Sequence, residues 1–511
     1  MFASSPTIDY ASIACSKENP FSNAYCIAGV ILELSTYSFL DKAKIYRDVI
    51  HDTITVSRVA NCIINTKYFQ RLRYLHQLGV CYYVFSNANH TRFEHSIGTY
   101  HLAQRYLNNL IQNSEPKDIN KTILDVPFIK NYALTNLNLD DTEENIKFLQ
   151  NLKSHIIDDY LIELIKIAGL CHDLGHGPYS HLFDEWLHSK EELHDLELVE
   201  HENRSIIILK KIIETSTIEE DGEIFRLNEF INEDAFNFIA ELINPTLETP
   251  TNFIFQIISN NLNGLDVDKL DYLCRDSFYL GLNTPFQLSR IIDNVKVLDS
   301  NICFPEKVSY DLYKIYRTRY DLHKQFYNHK TVISIEYMIR SIMDKLDNFL
   351  KISDIVKNKD IDGFIELVDA SIFTTTSVIK QLKISNLYPN MRKDIDDINK
   401  VIYNINKRCL YKCICQKTFP SNADLNIDEL VEEYSNIIKS DDKHNIIPVL
   451  IKIGFLSGNK SHPFDNIYFY DKNNYAKLLA NTDSSVNCYG EISYLISHIF
   501  QEKLFFIILR T

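Results

Sequence analysis

The chain has 511 residues, of which 45% are apolar, 24% charged, 13 are Gly and 13 Pro, a composition that excludes a disordered chain, a collagen-like repeat and a coiled-coil rod. At roughly 150 residues per domain this length predicts two to four domains, or one large core with elaborations. The 53 basic residues against 68 acidic ones give a formal charge of −15, which argues against an electrostatic grip on nucleic acid or anionic lipid by the whole protein and leaves room for a local basic pocket around a polyphosphate.

Residues 1–42 are weakly patterned and uninformative. Their most apolar stretch, Ala24 to Leu40, is interrupted by Glu33, Ser35 and Thr36 and has no basic flank, so neither a signal peptide nor a membrane span is predicted. From Ala43 to Val56 the text is β-like and turn-like. Helical periodicity follows, in Ile97, Tyr100, Ala103, Leu107, Leu110 and Ile111, and again in Leu161, Leu164, Ile165, Ala168 and Leu170. The polar stretch between them, Asn113 to Asn151, reads as a surface insertion. The chain stays mostly helical to about Asp347.

After Lys400 short β-like runs appear at Ile446 to Ile453, Ile467 to Tyr470 and Leu504 to Leu509, with a helix-like piece around Ile492 to Gln501. The predicted fold is therefore mainly α: a helical core over 43–350 with a smaller mixed α+β C-terminal lobe over 351–511. The 11 cysteines are odd in number, dispersed and form no CxxC pair, which fits a reduced intracellular compartment, cytoplasmic or nuclear. Cys409, Cys413 and Cys415 match no standard zinc spacing and read as packing residues.

His-Asp occurs at His51-Asp52, His172-Asp173 and His194-Asp195, so the dipeptide alone means little. Only the second sits in CHDLGHGPYSH, where an apolar helix runs into a Gly- and Pro-rich break carrying His172, Asp173, His176 and His181. Helical registration places His172 and His176 on one face. Two further segments offer ligands: NHTRFEHSIG, with Arg92 and His95, and NGLDVDKLDYLCRD, in which Asp268, Tyr272 and Asp276 form one polar stripe opposite Leu265, Leu270 and Leu273. Arg319, His323 and Tyr327 are again spaced by four and project from one side of a predicted long helix.

Imidazole and carboxylate ligation without thiolate suits one first-row transition metal, Fe, Zn, Mn or Ni, with carboxylates nearby for Mg. Such an ion acidifies water and neutralises phosphoryl oxygens, and Arg92, Lys269 and Arg319 would clamp a polyphosphate. Metal-assisted phosphoester hydrolysis is the reaction class this predicts.

These segments, with DVIHDTITV, FQRLRYLHQLGVCYYVF and RTRYDLHKQFYNHK, resemble the SAM and HD domain-containing deoxynucleoside triphosphate triphosphohydrolases of the HD phosphohydrolase superfamily, almost continuously from Lys44 to Lys330 and more thinly through RCLYK and HPFDNIYFYDK. No stretch before Lys44 resembles a SAM domain. The resemblance implies His95, His172, Asp173 and Asp268 as metal ligands. It implies His176, His181, Asp184 and His201 as catalytic or near-catalytic residues, with His181 the general acid to the leaving 5′ oxygen. Substrate phosphates would meet Arg92, Lys269 and Arg319, with His323 on the same wall, and the sugar would meet Gln77, Leu78, Tyr272, Asp276 and Tyr327.

The resemblance also implies activating nucleotides, GTP or a dNTP, that drive assembly of a homotetramer. Lys44, Ile45, Asn65, Gln70 and Arg73 match the first nucleotide site, and Arg290, Lys307, Lys330, Arg408, Lys412 and Lys472 the second. Asn65 replaces the carboxylate that recognises guanine, Pro305 replaces an Arg and Arg47 an Asn. The expected activity is cleavage of a dNTP to a deoxynucleoside and inorganic triphosphate. The alternatives are an HD phosphohydrolase acting on another nucleotide, or a nucleotide-sensing or nucleic-acid-binding protein with dispensable catalysis, although the charge does not indicate nucleic acid.

Overall fold

The computed structural model describes residues 39–193, 196–220, 223–284, 286–381, 392–435, 445–456, 462–478 and 499–510. The readings on the first 38 residues, on His194-Asp195 and on most of the helix-like piece from Ile492 lie outside them; Gln501, the last residue of that piece, opens a strand instead.

Strands β1 (Lys42–Asp48) and β2 (Asp52–Ser57) form an antiparallel hairpin with Asp48 opposite Asp52. Alternation turns Ile54 and Val56 inward, where both are buried, while most of β1 is exposed. Helix α1 (Arg92–Asn113) opens on a capping box, in which the Thr91 backbone N–H donates to Glu94 Oε1 at 2.7 Å. Its buried stripe contains Ile97, Tyr100, Ala103, Leu107 and Leu110, as the periodicity predicts. Helix α2 (Asp159–Cys171) is capped by Asp158 and packs along α1, with Thr99 Oγ1 donating to the Gly169 carbonyl at 2.7 Å.

The segment after α1, expected as a surface insertion, has helical structure of its own. It folds into helices Pro116–Ile123, Pro127–Asn136 and Glu143–Gln150, and Leu124, Ala133, Leu134 and Leu149 close into a small buried cluster. Short apolar residues scattered through polar text suffice, because each helix needs only one narrow buried face.

Helices α3 (His181–His188), α4 (His201–Thr215) and α5 (Val267–Tyr279) complete the surroundings of the HDLGHG break. Strands β3 (Lys296–Leu298) and β4 (Asn301–Pro305) precede helix α6 (Ser309–Leu322), which runs directly into a π-helical turn, His323–Tyr327, before α7 (Lys330–Leu350). The regular one-sided spacing predicted for Arg319, His323 and Tyr327 is therefore broken, since the wider turn adds a residue to the helical circuit.

Beyond residue 350 the chain returns to the core. Arg71 Nη2 donates to the Leu367 carbonyl at 3.0 Å, and Asp369 accepts from the His76 and Tyr179 backbones. Strands β5 (Lys412–Pro420), β6 (Ile446–Gly454) and β9 (Gln501–Leu509) form an antiparallel sheet with β9 central; β7 (Tyr468–Tyr470), paired with β8 (Ala476–Leu478), runs parallel to β4. The architecture is a mainly α core carrying a mixed α+β C-terminal part. Among the described residues no helix is long and apolar enough to cross a membrane.

Candidate metal and phosphohydrolase site

Helix α2 ends at Cys171, and His172 is its C-cap. His172 and His176 consequently do not share a helix face: the chain turns at once, and the two imidazoles go to different clusters. His172 Nδ1 lies 2.7 Å from the Gly169 carbonyl, an acceptor only, so Nδ1 carries the proton and Nε2 presents a lone pair. His95 on α1 is held the same way, with Nδ1 2.8 Å from Asp271 Oδ2.

The two free nitrogens converge. His95 Nε2 stands 3.0 Å from Asp268 Oδ1 and 3.4 Å from Asp173 Oδ2; His172 Nε2 stands 3.5 Å from Asp268 Oδ1 and 3.4 Å from Asp173 Oδ1. Despite these distances neither nitrogen makes a hydrogen bond among the described residues, although both are buried. Buried imidazole nitrogens facing carboxylate oxygens without hydrogen-bond geometry form a group that could hold a cation.

The charge agrees. Asp173, Asp268, Asp271 and Asp48 are four clustered carboxylates, and Arg92, at 2.7 Å from Asp173 Oδ2, and Arg275, at 2.8 Å from both Asp48 Oδ2 and Asp271 Oδ2, are the two guanidiniums among them. With His95 and His172 neutral, as ligation requires, two negative charges remain to balance a divalent ion. Burial opposes a charge on His95, but Asp268, Asp271 and Asp173 outweigh it and push its pKa up to about 10, so a cation at Nε2 would take the place of a proton. Partial burial works against ionised Asp268, and His172 and His95 nevertheless hold its carboxyl well below the usual range. Asp271, three residues beyond Asp268, was not singled out from the sequence; only the fold shows that it faces His95 from behind.

Next to this group lies a second one. Gly175 lets the N-terminus of α4 approach, since a Cβ there would stand 2.1 Å from the His201 carbonyl oxygen. His176 stacks on His201 with ring centroids 3.9 Å apart. His201 Nδ1 donates to Asp184 Oδ2 at 3.0 Å, and Arg204 pairs with the other Asp184 oxygen. Burial and the neighbouring Arg92 and His201 hold His176 well below the usual histidine range; His201 is raised, because Asp184 overcomes its burial. The His176, His181, Asp184 and His201 donors lie close enough to hold an ion, and the hydrogen bond from His201 to Asp184 equally suits them to proton handling. His181 heads α3 with its side chain 69% exposed, the one open ring of the cluster.

Of the residues expected to meet substrate, Lys269, Arg319, His323 and His181 stand together: burial, then Arg319, His181 and Lys269, keep the His323 imidazole well below its usual range. Arg319 is buried and donates to the Gly454 carbonyl at 2.6 Å, which ties the wall to β6. Arg92 is committed to Asp173 and also donates to Ser180 Oγ at 3.1 Å and to the Gln77 carbonyl at 3.4 Å. Tyr272 and Tyr327 flank Asp276, and burial, with Asp276 among the charges beside them, raises both phenols. Gln77 is buried, its backbone N–H donating to the His90 carbonyl at 3.0 Å, and Leu78 is half-buried.

The residues expected to hold activating nucleotides form three groups, and among the described residues no hydrogen bond or ion pair joins one group to another. Lys44 Nζ lies 4.9 Å from the Tyr46 ring centroid, Arg73 stacks on Phe93 and donates to Gln70 Oε1 at 2.8 Å, and Ile45 and Asn65 are exposed nearby in the chain. Arg290 donates to the Lys307 carbonyl at 3.3 Å, and Lys472 is exposed in the β7–β8 turn. Lys330 and Lys412 are exposed on α7 and β5, and Arg408 donates to the Tyr83 carbonyl at 2.9 Å.

A comparison with models of known protein families finds no match. Among curated proteins, the chain is 36% identical over 439 residues to an HD domain-containing protein of Acanthamoeba polyphaga mimivirus, covering 84% of this chain and 85% of that protein. It is 33% identical over 473 residues to the deoxynucleoside triphosphate triphosphohydrolase SAMHD1 homolog of Dictyostelium discoideum, covering 91% and 77%. Against the human deoxynucleoside triphosphate triphosphohydrolase SAMHD1 it is 30% identical over 405 residues, 73% of this chain and 55% of the human one.

Proposed function

The chain belongs to the HD-domain deoxynucleoside triphosphate triphosphohydrolase family that includes SAMHD1, and on that premise we propose that it cleaves dNTPs to a deoxynucleoside and inorganic triphosphate. The observation that supports this most directly is the pair of buried, unpartnered Nε2 atoms on His95 and His172, set between Asp173 and Asp268 and beside a wall of Lys269, Arg319, His323 and His181. A metal held by these four ligands supplies charge neutralisation at a phosphoryl oxygen and acidification of water.

The chain's own residues supply the rest. Lys269 and Arg319 bind and orient the phosphates, Arg92 fixes the Asp173 carboxylate, and His181, whose pKa desolvation, Arg92 and His201 hold down to about 4, would deliver a proton to the departing 5′ oxygen once the triphosphate's charge offsets them. Arg204 fixes Asp184, which orients the His201 and His176 stack behind His181. Asp276 and Tyr327 close around the sugar.

We further propose that nucleotides regulate the enzyme. Groups of exposed cations separated within one chain suit ligands shared between chains, where a polyphosphate offsets repulsion and favours a tetramer. Purified protein is to be incubated with each dNTP and rNTP, with and without GTP, with products resolved by chromatography and mass followed by light scattering. Triphosphate from dNTPs and a GTP-dependent rise in mass are expected. Orthophosphate as the only product overturns the reaction, and full activity of a monomer overturns the regulation.

A further inference from the structure

We propose that His51, in the turn between β1 and β2, is a positioning residue for the metal ligand His95 and acts through Asp271. This rests on the metal reading above. The Asp271 carboxylate is fully buried and its two oxygens are divided: Oδ2 accepts from His95 Nδ1 at 2.8 Å and Arg275 Nε at 2.8 Å, while Oδ1 accepts from His51 Nε2 at 2.7 Å and Arg275 Nη2 at 3.0 Å. Four donors leave it no freedom to rotate, and the plane of the carboxylate fixes where His95 aims Nε2.

The hairpin is built to keep His51 there. Asp48 Oδ1 accepts the backbone N–H of Ile50 at 2.8 Å and of His51 at 2.9 Å, closing the turn, and Asp48 Oδ2 accepts from Arg275 Nη1 at 2.8 Å. The His51 side chain is 3% exposed, with its ring 5.2 Å from that of His101. Gly98 on α1 makes the approach feasible, since a Cβ at that position would stand 2.1 Å from Asp271 Oδ1 and 2.5 Å from Arg275 Nη2. A hairpin 220 residues away in sequence thereby becomes part of the support of the metal centre.

Arg275, shared with Asp48, already donates to both Asp271 oxygens, so a purely structural His51 would add stability and nothing more. A positioning His51 makes a different prediction. Removing its N–H frees Oδ1 to tilt, the His95 ring follows, and metal affinity drops although charge balance is kept. The test is metal affinity of the full chain, measured by competition between Mn²⁺ or Zn²⁺ and a chelating indicator, beside the thermal midpoint of the metal-free protein. His51→Leu keeps bulk without the donor and should bind about 10–100-fold more weakly, whereas His51→Gln, whose amide N–H reaches a similar point, should stay within a few-fold of wild type.

Wild-type affinity in His51→Leu overturns the proposal, as does an equal loss in both variants or a loss matched by the unfolded fraction. Should His51→Leu not fold, the Gln variant decides alone: affinity within a few-fold of wild type in a folded protein supports positioning, and a large loss overturns it. A wild type that binds neither ion overturns the metal reading along with this proposal, and is thereby distinguished from a failure of His51 alone.

Discussion

The Tyr327 hydroxyl donates to Asp276 Oδ2 at 2.5 Å, and the other oxygen of the same carboxylate accepts from His90 Nε2 at 2.8 Å. His90 in turn stacks on Tyr279, with centroids 4.5 Å apart. The phenol is thus held from behind and presents its ring as a fixed wall. An added 2′-OH against that ring must clash or lose its solvation, so rNTPs are expected to be poor substrates. Tyr327→Ala should relax discrimination between dATP and ATP by about 1–3 kcal/mol in kcat/KM, the usual scale of a small steric change in a pocket. Equal hydrolysis of both by the wild type would contradict this wall.

Asp268 sits at the start of α5 with its side chain 36% exposed, whereas Leu270 and Leu273 on the opposite face are buried. Asp268→Ala should therefore abolish turnover and lower bound metal while the helix stays packed. His172→Ala should do the same, and chelation of the wild type should mimic both, with activity returning on addition of Mn²⁺ or another transition ion. Elemental analysis and circular dichroism check the two halves separately; full activity in either variant would sink the ligand assignment.

The sequence showed the site's parts more readily than their arrangement. His95, His172, Asp173 and Asp268 stand out in the sequence because each sits at a marked place, a helix start or a Gly-rich break, and the fold brings His95, His172 and Asp268 together. Asp271 does not stand out, because one more carboxylate three residues along an amphipathic helix carries no local signal, and its partners His51 and His95 lie 220 and 176 residues away. The split between His172 and His176 was hidden for a different reason: a helix that stops at Cys171 and one that runs a turn further have the same apolar pattern up to that point. The α1 and α2 stripes, by contrast, are long enough that periodicity alone predicts them.

Stability should carry one unusual pH dependence. Glu336 on α7 is half-buried; burial, then Glu185, raise its pKa to about 8, with Arg340 only partly opposing. Between its ordinary value and 8 the unfolded chain is ionised while the folded one keeps the proton, so stability falls as pH rises through that window and the loss is complete above it. Water at the half-exposed side chain reduces the size of the effect. Glu336→Gln should leave the thermal midpoint unchanged at pH 5 and raise it at pH 9, by about 1 °C for each kcal/mol recovered in a chain of this length. An identical shift at both pH values would show that packing, not ionisation, separates the two proteins.

Asn65 tests the regulatory proposal at its most specific point. It is the C-cap of the short helix Arg58–Ile64, is exposed, and lines a groove of about 600 Å³ with Arg58, Asn61, Thr66 and Ser216. A carboxylate at this place would accept two hydrogen bonds from the N1 and N2 edge of guanine. The Asn65 amide offers one acceptor and sets a donor against a donor, which should weaken guanine selection by roughly 1–3 kcal/mol. Activation by GTP is therefore expected to be weak, or replaceable by another nucleotide. Asn65→Asp should sharpen the preference for GTP without changing turnover of a saturating dNTP, since among the described residues position 65 makes no hydrogen bond or ion pair with His95, His172, Asp173 or Asp268. Activation constants for GTP, ATP and dATP, measured on both proteins, give the comparison directly. If the wild type requires a guanine nucleotide strictly and Asn65→Asp leaves that requirement as it was, base recognition does not run through position 65, and Lys44, Ile45, Gln70 and Arg73 lose their assignment to that nucleotide with it.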